Sequence, residues 1–364
     1  MEAASITGKP LAATTPVAAV RAFLGRYGLI ILLAAGPVYF AIHDLLQPSH
    51  SLVKLGNVLV AGISNGAIWA LVAVGYTLVY GIIELINFAH GDLFMIGSFV
   101  GYGMFGTLGL TLTTGTLGLV GGLVVTLIVC MLVCASINVM IERVGYRPLR
   151  NAPKLAPLIT AVGFSFILQN VGELWLGGSQ HGVTDLIRGS THVINLGGVT
   201  IDRQDILAVG LTVPLVLVMT TFISQSRLGK AMRATAQDPE AARLMGINVD
   251  TTISLTFLIG GLLAGAGGLI YALYQTNIWF FQGFRAGLIA FTAAVMGGIG
   301  NVRGAVLGGF IIGIIQQLSD NRIHEVLGKN FGSEWTNVVV FAYLILIMVF
   351  RPQGLIGEET REAG

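Results

Sequence analysis

Residues 225–251 read QSRLGKAMRATAQDPEAARLMGINVDT, a polar and basic stretch set between two apolar runs, 205–224 and 252–274. A helix needs about 20 apolar residues to cross a hydrocarbon core ~30 Å thick, and each flank is long enough. Backbone polar groups find no water inside lipid, so such runs are read as helices and not as isolated strands. The pattern recurs at 28–42, 55–82, 92–110, 117–141, 155–177, 286–299, 304–320 and 336–350. The fold class that follows is all-α: a polytopic transmembrane helical bundle of about eight to ten spans.

Composition agrees. Of 364 residues, 54% are hydrophobic and 10% charged, against about 25% charged in a soluble chain. The 50 glycines suit helices that approach closely in lipid. The net charge of +2 comes from basic residues beside apolar spans, so no continuous basic face exists to track phosphates. Membrane lipid is the expected surrounding and nucleic acid is not a partner. Cys130 and Cys134, four apart on one span, read as small packing residues, since that spacing on a straight helix rarely suits a disulfide.

Lys and Arg set the orientation. Arg21 and Arg26 precede the first span, Arg143, Arg147, Arg150 and Lys154 follow the fourth, Arg227, Lys230, Arg233 and Arg243 follow the sixth, and Arg351 follows the last. The positive-inside rule puts all four groups in the cytoplasm, and ten crossings satisfy each with both termini inside. Residues 178–204 and 321–335, with scattered Arg188, Arg203, Arg322 and Lys329, then fall outside. Residues 1–27 read as a disordered cytoplasmic terminus, 28–54 as a first span and outer loop, 55–357 as the main membrane domain, and 358–364 as a cytoplasmic tail. A cleaved signal peptide competes for 21–45, and the lack of an A-x-A site after Gly36-Pro37 favours an uncleaved span.

Inside the polar stretch the local signals spell out a short helix. Asp238 is a good N-cap and Pro239 fits the first helical position. Glu240 complements the positive helix end, Ala241, Ala242, Arg243, Leu244 and Met245 propagate it, and Gly246 is placed to end it. Leu228 to Ala236 can form a second amphipathic helix upstream. Ala241, Leu244 and Met245 make an apolar face rimmed by Glu240 and Arg243. A capped turn in a loop is by itself as compatible with plain structure as with a docking element.

The second informative stretch is Tyr80–Asp92, YGIIELINFAHGD, which sets Glu84, Asn87, His90 and Asp92 between two apolar spans. Polar groups at membrane depth are functional candidates by default. Gly81 and Gly91 permit a helix break, and a matching interruption, with Gly297, Gly298, Gly300 and Gly304, lies in the second half. Paired breaks of this kind mark the binding region or hinges of transporters built from inverted repeats. The competing reading is a cytoplasmic turn with Glu84, His90 and Asp92 solvated at its tip. One His and two acids make a poor metal site, and none is expected. Trp69, Trp175, Trp279 and Trp335 read mostly as interface anchors.

RATAQDPEAARLMGIN at 233–248, INFAHGD at 86–92, AFTAAVMGGIGNVRGAVLGG at 290–309 and FRPQGLIG at 350–357 together resemble the branched-chain amino-acid permeases of ABC importers, in that family's order. The wording is closest to the H-type subunit, with the first 50 residues as an extension. The resemblance implies that Asp238 to Gly246 is the coupling helix, received by a separate ATPase subunit. It implies that ATP is bound by two such partner subunits and that this chain holds no cofactor and no catalytic residue. It further implies a second related permease, an external binding protein that delivers the amino acid, and a place in the bacterial inner membrane. Permeases for urea, amides or other amino acids share the architecture. An ion-coupled secondary transporter is the more distant rival, needing no ATPase, and a membrane-embedded enzyme lacks any Ser/His/Asp or H-E-x-x-H arrangement.

Overall fold

Long apolar runs, broken by glycine pairs and polar caps, fold into twelve α-helices among the described residues. The computed structural model describes residues 16–47, 51–150, 152–187, 193–328 and 332–357. In chain order the helices are α1 (Pro16–Leu46), α2 (Val53–Ile83), α3 (Ala89–Thr107), α4 (Thr116–Ile141), α5 (Leu155–Leu176) and α6 (Arg203–Gln225). There follow α7 (Arg227–Gln237), α8 (Pro239–Leu244), α9 (Val249–Gln275), α10 (Gln282–Gly297), α11 (Val302–Leu327) and α12 (Thr336–Phe350). A π-helical turn, Glu142–Tyr146, extends α4. Four short strands complete the chain: β1 (His181–Gly182) pairs antiparallel with β4 (Asn277–Ile278), and β2 (Ile194–Leu196) with β3 (Val199–Ile201).

Seven of the described helices are long and apolar enough to cross a membrane: α2, α4 with its π turn, α5, α6, α9, α11, and α12 with the turn before it. The bundle is thus a polytopic helical one. The apolar part of α1, Ile31–Leu46, is shorter, and α3 and α10 are not among the seven. Helices α2 and α9 form the centre and are buried on nearly all sides, as apolar helices without a polar face must be. Helices α4, α6 and α12 turn most of their apolar surface outward, for example Leu117, Val218 and Val349.

Glycine sets how closely the central helices approach. Along α2, Gly62, Gly66 and Ala70 face Gly309 and Gly313 of α11, the four-residue spacing of a small-residue seam. A methyl group on Gly66 would lie 2.8 Å from Phe310 Cα, and one on Gly62 2.9 Å from Ile314 Cα.

Several expectations shift. Helix α1 starts at Pro16 and takes in residues 16–27, which the composition had suggested were unstructured; residues 1–15 and the tail 358–364 lie outside the described residues, as do Arg188 and Lys329. Helix α11 does not stop at 320 but runs to Leu327, so residues 321–327 are helix and not outer loop. The reason is Arg322, which is fully buried and forks onto Asp44 of α1, with Nη1 2.9 Å from Oδ2 and Nη2 2.5 Å from Oδ1. Its Nε donates to Glu325 at 2.8 Å, Glu325 also pairs with Lys54, and the guanidinium sits 4.6 Å from the Phe40 ring centroid. An Arg read as a loop residue is thus the clasp of α1, through a partner 278 positions away. Trp69, too, is no interface anchor: it is buried in mid-α2 beside Phe94 and Tyr271.

Candidate functional site

The polar stretch between α6 and α9 is held by three consecutive caps. Ser226 Oγ accepts from Gly229 N at 2.9 Å and starts α7, whose Gly229, Met232 and Thr235 point into the bundle. Asp238 Oδ1 accepts from Glu240 N at 2.8 Å and Ala241 N at 3.0 Å, which satisfies donors that a helix start leaves free. Gly246, at φ +83°, ends α8, and Ile247 N donates to Ala242 O at 3.0 Å. Asn248 then caps α9 through Thr251 N at 3.1 Å. Ala242 is buried, whereas Glu240, Ala241 and Arg243 are exposed and Leu244 and Met245 are 88% and 82% exposed. An apolar patch with a charged rim therefore faces away from the bundle on a helix that cannot easily bend.

Behind this patch runs a chain of contacts. Buried Glu142 of the π turn accepts from Arg150 Nη2 at 2.5 Å and Ser254 Oγ at 2.7 Å. Arg150 also pairs with Asp250 in the first turn of α9, and Arg147 lies 3.4 Å from that carboxylate. Tyr146, in the same π turn, donates to Ile86 O at 3.2 Å. The start of α9 is thereby tied to the break between α2 and α3.

That break divides the polar residues of the 84–92 stretch. Glu84 ends α2 in the left-handed region, at φ +51°, is exposed, and meets Lys154 at 3.1 Å. Beyond it the chain turns back into the bundle. Asn87, His90 and Asp92 are all buried, so the solvated-turn reading holds for Glu84 and fails for His90 and Asp92. The His90 ring lies against Gly75, eight residues before α2 ends, about 12 Å along its axis. Glycines make the room: a methyl on Gly91 would lie 2.5 Å from Gly287 Cα, and one on Gly283 2.8 Å from Asp92 Cα. Asn87 Nδ2 donates to Asn138 Oδ1 at 3.2 Å, and Ser165 Oγ donates to Asp92 Oδ2 at 2.5 Å. Glu84 does not converge with Asn87, His90 and Asp92.

The second break, between α10 and α11, uses Gly298 at φ +108° and Gly300 at φ +92°. Leu355 N and Ile356 N donate to Met296 O and Gly297 O at 2.9 and 3.0 Å, and Asn301 Nδ2 donates to Ile356 O at 2.8 Å. The 350–357 motif thus serves as a strap across the break. The two breaks meet, since a methyl on Gly81 would lie 3.5 Å from Gly300 Cα.

A cavity of about 470 Å³ opens at the other end of α9, about 40 Å from α8 along the helix axis. Among the described residues, none of Glu84, Asn87, His90, Gly91, Asp92, Gly297, Gly298 or Gly300 lines it. Its walls are Trp69, Tyr271, Gln275, Trp279, Gln282, Arg285, Ile289, Gln316 and Asp320, among others. Gln316 Oε1 accepts from Trp69 Nε1 at 2.7 Å and Asn65 Nδ2 at 3.1 Å, and Asp320 accepts from Thr336 at 2.5 Å. The volume falls in the range of about 300–1,000 Å³ usual for small-molecule sites. Sequence reasoning did not bring these residues together because they are spread over α2, α9, α10, α11 and the segment after α9, one or a few on each. The usable signal was Gln282 and Arg285 at the head of an unusually short apolar run.

Outside these regions, His43, Asp44 and Glu325 form the one cluster of potential metal ligands among the described residues, and two of the three already serve Arg322 and Lys54.

Residues 58–348 match the family described as branched-chain amino acid transport system / permease component. The chain is 40% identical over 313 residues to the high-affinity branched-chain amino acid transport system permease protein BraD of Pseudomonas aeruginosa, covering 84% of this chain and 96% of that one. It is 39% identical over 309 residues to LivH of Escherichia coli, with 83% and 95% covered. A probable LivH of Methanocaldococcus jannaschii matches at 27% over 303 residues, with 80% and 89% covered.

Proposed function

Because this chain belongs to the branched-chain amino acid transport permease family, we propose that it forms the translocation path of an ATP-driven importer for leucine, isoleucine and valine. The observation that carries the reading is α8: a rigid, doubly capped helix that presents Leu244 and Met245 to a partner. An apolar patch rimmed by Glu240 and Arg243 suits a groove on an ATPase subunit, with ATP bound there and not by this chain. The remaining partners are a second ATPase, a second related permease and an external protein that delivers the amino acid. The membrane is the bacterial inner membrane, with α8 and both termini in the cytoplasm.

Movement would pass by contact. Closure of the ATPase pair presses on α8, the first turn of α9 shifts, and the Asp250–Arg150–Glu142 network carries the shift to the π turn. Tyr146 then acts on Ile86 and the α2–α3 break, beside the α10–α11 break. Two glycine-rich breaks pinned by few bonds are where a bundle can pivot.

The test is leucine uptake into proteoliposomes that hold the full complex, with the loaded binding protein outside and ATP within. Uptake should require ATP, and Glu240→Lys should abolish it while the protein remains inserted. Uptake by this chain alone under a proton gradient without ATP would overturn the reading in favour of a secondary transporter.

A further inference from the structure

Helix α10 begins at the cavity. Its first residue, Gln282, lines the cavity and is only 7% exposed, and Arg285 one turn on lines it as well. No side chain caps the start of α10. Gln282 Oε1 accepts from Trp279 N at 3.0 Å, which fixes its amide and leaves Nε2 a buried donor without a partner. A buried orphan donor costs free energy unless something in the functioning state accepts from it. It lies at the positive end of a sixteen-residue helix, and the exposed Arg285 lines the same cavity. All three call for an anion of carboxylate size.

The same cavity also carries the opposite charge. Asp320 of α11 and Gln275 at the end of α9 line it, and Asp320 retains acceptor capacity beyond its bond to Thr336. Trp69, Tyr271 and Ile289 supply an apolar wall. A cavity that offers one cation, one anion and an apolar wall among the described residues suits a zwitterion with an apolar side chain better than a simple anion or cation.

We propose that the start of α10, through Gln282 and Arg285, receives the carboxylate of the amino acid in passage, while Asp320 and Gln275 receive its ammonium group. The permease then recognises the backbone of its cargo itself, and the apolar wall tolerates several aliphatic side chains. This rests on the importer reading above, and the experiment separates the two.

The complete transporter is reconstituted in proteoliposomes, and ATP-driven uptake of radiolabelled leucine is measured for Arg285→Gln, Arg285→Lys and Gln282→Glu. The last keeps an acceptor for Trp279 N at nearly the same size, but puts a negative charge where a donor stood. Arg285→Gln and Gln282→Glu should each lower initial uptake at least about tenfold, as expected for loss of a charge-assisted contact. Arg285→Lys keeps the positive charge but not the planar fork, so its uptake should fall between the parent and Arg285→Gln, and the loaded binding protein should dock on every variant with unchanged affinity. Uptake within about twofold of the parent in both damaging variants overturns the carboxylate site and leaves the importer reading intact. Loss of uptake together with loss of docking makes Arg285 a contact for the binding protein and also overturns it. If the parent complex takes up no leucine with ATP and loaded binding protein, the importer reading falls, and this proposal with it.

Discussion

Replacing Gly66 by Ala adds a single methyl group to the α2–α11 seam, and its cost can be worked from the structure. The new Cβ would lie 2.8 Å from Phe310 Cα, 3.0 Å from Phe310 O and 3.1 Å from Gly309 O. Carbon atoms prefer about 3.5–4.0 Å, so the helices must part by at least about 0.7 Å. All three obstacles are backbone atoms, and no rotamer change relieves them. A gap of 0.5–1 Å forfeits roughly a quarter to a half of the attraction between facing atoms. Overpacking of this kind costs about 1–3 kcal/mol, and the backbone obstacles place Gly66→Ala in the upper half. Ala also gains up to about 1 kcal/mol over Gly as a helix former. A control isolates that gain: a methyl on Gly163, in mid-α5, meets nothing within 4 Å. In equilibrium unfolding in mixed micelles, Gly66→Ala should therefore be about 2–3 kcal/mol less stable than Gly163→Ala. If the two variants unfold within about 0.5 kcal/mol of each other, the seam is not close-packed as described.

Other consequences are open to direct measurement. Leu244→Asp with Met245→Asp should leave the unfolding midpoint unchanged, because both side chains are exposed, yet abolish co-purification with the ATPase subunit. Asp238→Ala removes the acceptor for two backbone donors and should cost about 1 kcal/mol of local helix stability, read as faster amide exchange confined to Glu240 and Ala241. Asp44→Ala strips Arg322 of its bidentate partner. Losing one side of a buried pair costs about 3–5 kcal/mol, and the remaining bonds to Glu325 put the expected loss near the lower limit. A cysteine pair at Phe40 and Leu318 should then crosslink less efficiently than in the parent, as α1 comes away from α11.

Much of this architecture is legible in the chain because its signals are local. Asp238, Pro239 and Gly246 state where α8 starts and stops within nine positions, and spans such as 252–274 announce themselves by length alone. What could not be read depends on partners far apart in sequence. Arg322 looks like a loop residue until Asp44 is placed beside it. His90 and Asp92 look like the tip of a turn until Gly75, Gly283 and Gly287 open space for them. The cavity was the hardest to foresee, since Trp69, Tyr271, Arg285 and Gln316 come from four different helices. Each is unremarked in its own run, and only packing assembles them.

The inward start of α3 has a consequence for how the chain is made. Gly91 and Asp92 pack against Gly283 and Gly287, nearly two hundred residues further on, so their surroundings do not exist when α3 leaves the ribosome. A helix that opens with His90 and Asp92 is poorly suited to wait alone in lipid. The space around α3 therefore closes only once α10 has been made, so the packing of an early helix waits on a late one.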